Sequence, residues 1–176
     1  MFQQSPPASI VEVLENHGYD GQSILFSTST DLSAEGRPER QWLLLCGRRL
    51  VLLSESETPQ LLHTWTVDEA ETFRTHAGVG SGFLQARIGG VWVDVVRYSN
   101  SLAGRFVKLA AKLEAIRDGG EFVVRSEDEI DDRRCPGCGL ALSYAGDVCP
   151  RCIDRGAVLS RVWGLLQPHR GGVSAV

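Results

Sequence analysis

No stretch of this sequence approaches the roughly 18 consecutive apolar residues that a membrane-spanning helix needs. The opening residues, Met1-Phe2-Gln3-Gln4-Ser5-Pro6-Pro7, lack the basic and apolar regions of a secretory signal and read as a disordered start. Basic charge is scarce too. With 18 Lys and Arg against 22 Asp and Glu, the net charge is -4 and the pI near 5.6, so the chain as a whole does not attract nucleic acid or anionic lipid. The four histidines, His17, His63, His76 and His169, are scattered, and no Ser/His/Asp or Cys/His arrangement assembles from spacing, so an enzyme is not expected. A phosphate-binding Gly-x-x-x-x-Gly-Lys-Ser/Thr loop is missing. Gly78-Val79-Gly80-Ser81-Gly82 lacks the following lysine and helix, and reads as a flexible strand connection. The chain is expected to stay in the cytosol.

What is present supports one ordinary domain with a small appendage: 176 residues, 43% of them apolar and 23% charged. Five cysteines include two pairs, Cys135-Pro136-Gly137-Cys138-Gly139 and Cys149-Pro150-Arg151-Cys152, with ten residues between them. Two residues between cysteines let both sulfurs of a turn face one ion while the turn's N–H groups hydrogen-bond the thiolates, and Gly139 supplies a permissive backbone just after the first turn. Cys135, Cys138, Cys149 and Cys152 are therefore expected to ligate a structural Zn2+. Rubredoxin-type iron sites use similar turns but separate them by a longer, aromatic-rich segment, whereas here Tyr144 is the sole aromatic. Disulfide exchange would call for a thioredoxin-like alternation of strands and helices. Four sulfurs also leave no open position for catalysis. Arg133, Arg134, Arg151 and Arg155 are close enough in sequence to offset the site's negative charge. Ile153 stands where the second turn would carry a glycine, and makes that turn less regular. Cys46, in an apolar strand, is expected to be buried and inert.

Ahead of the cysteines, Ser9 to Gly18 reads as a short helix capped by Ser9, with Ile10, Val13 and Leu14 on one face. Segments 23–29, 41–46, 50–54, 61–66, 70–77, 82–88 and 91–97 then read as seven strands. Gly47-Arg48-Arg49 and Gly89-Gly90 are tight enough to make antiparallel hairpins. A helix follows, with Ser99, Asn100 or Ser101 as cap and Gly119-Gly120 as stop. Leu102, Phe106, Leu109, Leu113 and Ile116 share its apolar side, which is expected to cover the domain's own core, leaving Arg105, Lys108, Lys112 and Arg117 for solvent.

Seven antiparallel strands followed by one amphipathic helix, over residues 20–118, resemble the pleckstrin-homology-like domains. The resemblance implies a mainly β fold with some helix, a bent sheet or barrel plugged at one end by that helix; another all-β barrel with an appended helix has the same element order. Residues 121–134, with Glu121, Glu127, Asp128, Glu129, Asp131 and Asp132 against Arg125, Arg133 and Arg134, read as a solvated acidic linker. Beyond the cysteines, Val158, Leu159, Val162, Trp163, Leu165 and Leu166 fall at helical spacing up to Pro168. That apolar side either meets a partner or membrane surface or folds back on the β domain.

The run of paired cysteine turns, Arg155, Leu159-Ser160-Arg161-Val162 and Leu165-Leu166-Gln167-Pro168-His169-Arg170 is similar to the segment before the first membrane helix in a group of bacterial ABC exporters. The resemblance implies a non-catalytic cytosolic regulatory or docking module at the inner face of the cell membrane. Its implied partners are the exporter's membrane and ATP-binding domains, in cis or in trans, the membrane surface along residues 158–166, and a homodimer formed through the transporter. The expected organisation is 1–19 with a short helix, 20–120 the β domain, 121–134 the linker, 135–153 the zinc knuckle, 154–170 the elbow-like helix and 171–176 a tail. A different class, a stand-alone zinc-ribbon adaptor for a protein or nucleic acid, fits the same cysteines. Against nucleic acid, residues 135–176 carry only Arg151, Arg155, Arg161 and Arg170 against Asp147 and Asp154. Lipid recognition at Arg37 and Arg40, in the loop after the first strand, is opposed by Asp31, Glu35 and Glu39.

Overall fold

The run Trp42-Leu43-Leu44-Leu45 lies on the second strand of a computed structural model that describes residues 2–129, 135–140, 142–143, 147–154, 156, 159–160 and 163. The chain divides into two units, Met1–Asp131 and Asp132–Val176. The first holds helix α1 (Ala8–Asn16), strands β1 (Ile24–Leu32), β2 (Pro38–Cys46), β3 (Arg49–Ser54), β4 (Gln60–Thr66), β5 (Ala70–Ala77), β6 (Ser81–Ile88) and β7 (Val91–Ser99), and helix α2 (Ala103–Arg117). All seven strands fall where the hydrophobic pattern puts them, and every pairing is antiparallel.

The expected single bent sheet or barrel is not what forms. There are two open sheets, β1-β2-β3-β4 and β5-β6-β7. The ladder breaks between β4 and β5 because the chain turns through Val67–Glu69, where the Val67 amide donates to the Arg48 carbonyl at 2.9 Å. Where β1 meets β7 the bonds run from side chain to backbone: Thr30 Oγ1 donates to the Arg97 carbonyl at 2.5 Å and the Ser99 amide donates to Asp31 at 2.9 Å.

Successive residues of a strand point to opposite faces, so an unbroken apolar run needs cover on both. β2 and β3 have it. Leu43, Leu45, Leu50 and Leu52 join Phe26, Leu84, Val95, Val96 and the α2 residues Phe106, Leu109 and Leu113 in the main core. Trp42, Leu44, Cys46, Val51 and Leu53 face the other way and are covered by Ile10 and Leu14 of α1. The first helix is therefore a lid on the outer face of the four-stranded sheet. The residue before it is Pro7 and no side chain caps it; Ser9 lies inside the helix, and Gly18, at φ +80°, follows its end.

The apolar side of α2 is buried at Phe106, Leu109, Leu113 and Ile116, while Leu102, expected with them, lies half-buried in the turn before the helix; Gly119, at φ +89°, with Gly120 closes the helix end through the bond from the Gly120 amide to the Ala115 carbonyl at 2.8 Å. None of Ser99, Asn100 and Ser101 caps it: a turn over Asn100–Leu102 precedes the helix, and the Ser99 hydroxyl is spent on Asp31. The expectation that its basic residues face solvent fails. All four are half-buried, because long basic stems reach carbonyls along the helix flanks. Arg105 donates to Thr28 Oγ1 at 3.2 Å and to the Ser29 carbonyl at 3.1 Å, Lys108 to the Glu127 carbonyl at 3.1 Å, and Lys112 to the Val123 carbonyl at 2.5 Å. Arg117 bonds the Glu71 carbonyl and pairs with Glu114 at 2.8 Å.

These contacts change the reading of the acidic stretch. Residues 121–129 are not a plain solvated spacer: Phe122 and Val124 pack against the core, and Asp128 pairs with Lys112 at 2.7 Å. Phe2, in the segment read as disordered, is buried as well.

Candidate metal centre

In the second unit, Pro136–Cys138 and Pro150–Cys152 each form a tight turn. The Gly139 amide donates to the Cys135 carbonyl at 2.8 Å, and the Ile153 amide to the Cys149 carbonyl at 3.0 Å. The two turns thus close with the same bond. Gly139 does so at φ +72°, while no non-glycine residue among those described has a positive φ, so Ile153 completes the second turn without the left-handed step. A further bond, from the Cys135 amide to the Leu140 carbonyl at 2.9 Å, folds the first turn back on itself.

The four sulfurs of Cys135, Cys138, Cys149 and Cys152 lie within 4.8 Å of one another. Close approaches run across the turns: Cys135 Sγ to Cys152 Sγ is 3.6 Å and Cys138 Sγ to Cys149 Sγ is 3.5 Å. Bonded sulfurs would stand about 2.05 Å apart, and all four thiols are free. A tetrahedral ion with metal–sulfur bonds near 2.3 Å, such as zinc, holds its sulfurs about 3.8 Å apart, close to this spacing. Four soft donors converging on one point can hold a metal ion. Cys135 and Cys149 are buried, Cys138 is half-buried and Cys152 exposed. Gly137 lies against the cluster, and a Cβ there would stand 3.5 Å from Cys152 Sγ.

The Cys135 thiol is pulled down to about 7, chiefly because the Cys138 and Gly137 amides of its own turn donate to the sulfur. Cys152 is pushed up to about 12, first by its hydrogen bond with Cys138 and then by that with Cys135. One sulfur of the group is therefore primed to ionise, and the amides that do this come from the same Cys-x-x-Cys turn that positions it.

Of the four arginines expected around the site, Arg151 is exposed and Arg133, Arg134 and Arg155 lie outside the described residues. The elbow-like helix falls largely outside them too. Gly156, Leu159, Ser160 and Trp163 are helical, with Leu159 and Trp163 exposed; Val158, Val162, Leu165 and Leu166 are not among the described residues. His17 follows α1, His63 is on β4 and His76 on β5, and none belongs to the metal-ligating group; His169 lies outside the described residues. Cys46 is buried, and burial pushes its thiol up to about 11.

The arginines weighed for lipid do not form a common loop site. Arg37 is in the loop after β1, but Arg40 is on β2 and pairs with Glu55 at 3.6 Å. That loop is closed by the Ser33 amide donating to the Arg37 carbonyl at 2.9 Å and by Arg97 reaching the Ala34 carbonyl at 3.3 Å. Comparison with known proteins finds no family model and no curated protein that matches this chain.

Proposed function

We propose that the chain is a non-catalytic docking module of a bacterial ABC exporter, with a pleckstrin-homology-like β unit and a structural zinc ion held by Cys135, Cys138, Cys149 and Cys152. The observation that carries the zinc is the convergence of four sulfurs within 4.8 Å. Tetrahedral thiolate coordination is closed, so the ion's role is to cross-link two short turns in a segment where, among the described residues, only Cys135 and Cys149 are buried. The pleckstrin-homology-like reading draws on the element order, seven antiparallel strands in two sheets followed by a helix that buries Phe106, Leu109 and Leu113. The exporter reading draws on the sequence from Cys135 to Arg170, in which the cysteine turns precede a helix that would lie along the inner face of the membrane.

Metal analysis of the purified chain should return one zinc per molecule, and stoichiometric iron or two disulfides would refute the zinc. The exporter assignment is tested in the genome. Membrane helices and an ATP-binding domain should be encoded in frame after Val176 or in an adjacent gene, and their absence from both would refute it. The alternative is a stand-alone zinc-ribbon adaptor: Leu159 and Trp163, four residues apart and 68% and 58% exposed, suit a soluble protein partner as well as a membrane. Sedimentation with vesicles separates the two, since the docking module binds bilayers through this side and the adaptor does not.

A further inference from the structure

Residues 2–4 are bonded on both sides. On one side lies β1, the outer strand of its sheet: the Gln4 amide donates to the Ser27 carbonyl at 2.9 Å, the Ser27 hydroxyl donates to the Gln4 carbonyl, and the Ser29 amide and hydroxyl both donate to Gln4 Oε1 at 2.8 Å. One of these bonds joins main chain to main chain and the other three run through the Ser27, Gln4 and Ser29 side chains, so Gln4 lies along the sheet edge and binds it. On the other side lies the segment after α2. Glu129 accepts the Phe2 amide at 2.7 Å and the Gln3 amide at 3.3 Å. The Phe2 ring, only 2% exposed, stands 4.9 Å from Phe26, which is 5.1 Å from Phe122. Lys112 lies within 6 Å of both outer rings, 5.8 Å from Phe2 and 5.9 Å from Phe122.

The segment held in this way is also tied to α2 directly, by Lys112 to the Val123 carbonyl and to Asp128 and by Lys108 to the Glu127 carbonyl, yet much of it is open to solvent. Residues 121–129 form no strand and only one short turn, Ser126–Glu129; Glu121, Val123, Arg125, Ser126, Glu127 and Glu129 are exposed. Segments that lie on the surface with many exposed positions open locally, without unfolding the sheets beside them. We propose that residues 2–4 are a releasable clasp, an intramolecular peptide ligand of the β1 edge, that fastens residues 121–129 along α2. The aromatic anchor gives the clasp its strength. The exposed Glu129 hook makes it releasable. Opening would add residues 121–129, about 30 Å of extended chain, to the connection that leads to Cys135. A competing extended segment laid on β1 would open it, so the edge is a peptide-binding groove occupied in cis.

Hydrogen exchange on the full chain tests this. Phe2→Ala should speed exchange across residues 121–129 by about tenfold or more while β2 and β3 stay within about twofold of the parent. Millimolar peptide Phe-Gln-Gln-Ser-Pro should restore the protection, and Ala-Gln-Gln-Ser-Pro should not. Glu129→Ala, which cuts the hook and leaves the aromatic pocket filled, should give the same regional effect. Unchanged exchange at 121–129 in both variants, or no rescue by the peptide, would overturn the proposal. Equal loss of protection in β2 and β3 in Phe2→Ala would make Phe2 an ordinary core residue and overturn it too.

Discussion

Cys135 and Cys152 bring their sulfurs to 3.6 Å across two separate turns, and Cys138 and Cys149 make the matching approach at 3.5 Å. Each close pair takes one sulfur from each turn. Neither turn can complete the site alone, and losing one turn leaves two donors where tight binding needs four. Cys135→Ser with Cys138→Ser is expected to abolish stoichiometric metal binding, read by metal analysis. The melting temperature of the β unit should stay within about 2 °C, because the described residues that build its two core clusters all belong to its own unit. A β unit that melted with the metal site would contradict this division.

Glu114 ties α2 to β5. Its carboxylate accepts the Thr72 hydroxyl at 2.7 Å and the Phe73 amide, and it also pairs with Arg117. Truncation strands an amide beside the core, at a cost of about 1–3 kcal/mol. Glu114→Ala should lower the urea midpoint by the corresponding amount with an unchanged slope, and Glu114→Gln, which keeps an acceptor oxygen, should recover part of the loss.

Gly82 sits opposite Tyr98 in the β6–β7 ladder. A Cβ there would lie 2.7 Å from Tyr98 Cε2 and 2.9 Å from its Cζ. The ring has nowhere to go: it is 2% exposed and stacked on Phe106, with centroids 4.2 Å apart and planes 5° from parallel. Gly82→Ala should therefore cost about 1–3 kcal/mol by overpacking. Gly80→Ala pays for backbone strain at φ +76° but meets no atom within 4 Å, so calorimetry on the pair separates contact from conformation.

The Glu129 carboxyl titrates below its ordinary 4.5, first because the Phe2 amide donates to it, with burial opposing and the Gln3 amide and Arg105 helping. A lowered folded value means that the contribution is complete above about 4.5 and is lost as pH falls through that lower value. An NMR titration should show the Phe2 and Gln3 amides shifting with a midpoint below 4.5, and Glu129→Gln should remove the transition. A midpoint above 4.5 would contradict the bonding described for this carboxylate.

Legibility in the sequence followed the kind of signal. Strands β1 to β7 were readable because short apolar, β-branched and aromatic segments bounded by turn residues are local signals, and the four cysteines because turn chemistry fixes their spacing. The α1 lid was hidden in plain view: a run as unbroken as Trp42 to Leu45 implies cover on both faces, but nothing local says which segment provides it. The basic side of α2 misled for a related reason. Lys112 and Arg105 have the periodicity of a solvated face, while their partners at Val123 and Ser29 are set by chain paths that periodicity does not encode. Phe2 was missed because one aromatic beside two prolines makes no pattern. The split into two sheets depends on the turn at Val67–Glu69; the sequence shows the gap between segments 61–66 and 70–77, but nothing local says whether the strands on either side of it pair.

The lid over the outer face of the four-stranded sheet also sets a chemical clock. Cys46 lies beneath it among Trp42, Leu44 and Val51, with its thiol pushed up to about 11, so it is both shielded and un-ionised near neutrality. In a thiol-labelling experiment, the four sulfurs of the second unit report whether they are bound to metal. The fifth stays silent until the β unit opens, so a single reagent reads ligation and global unfolding as two separate counts.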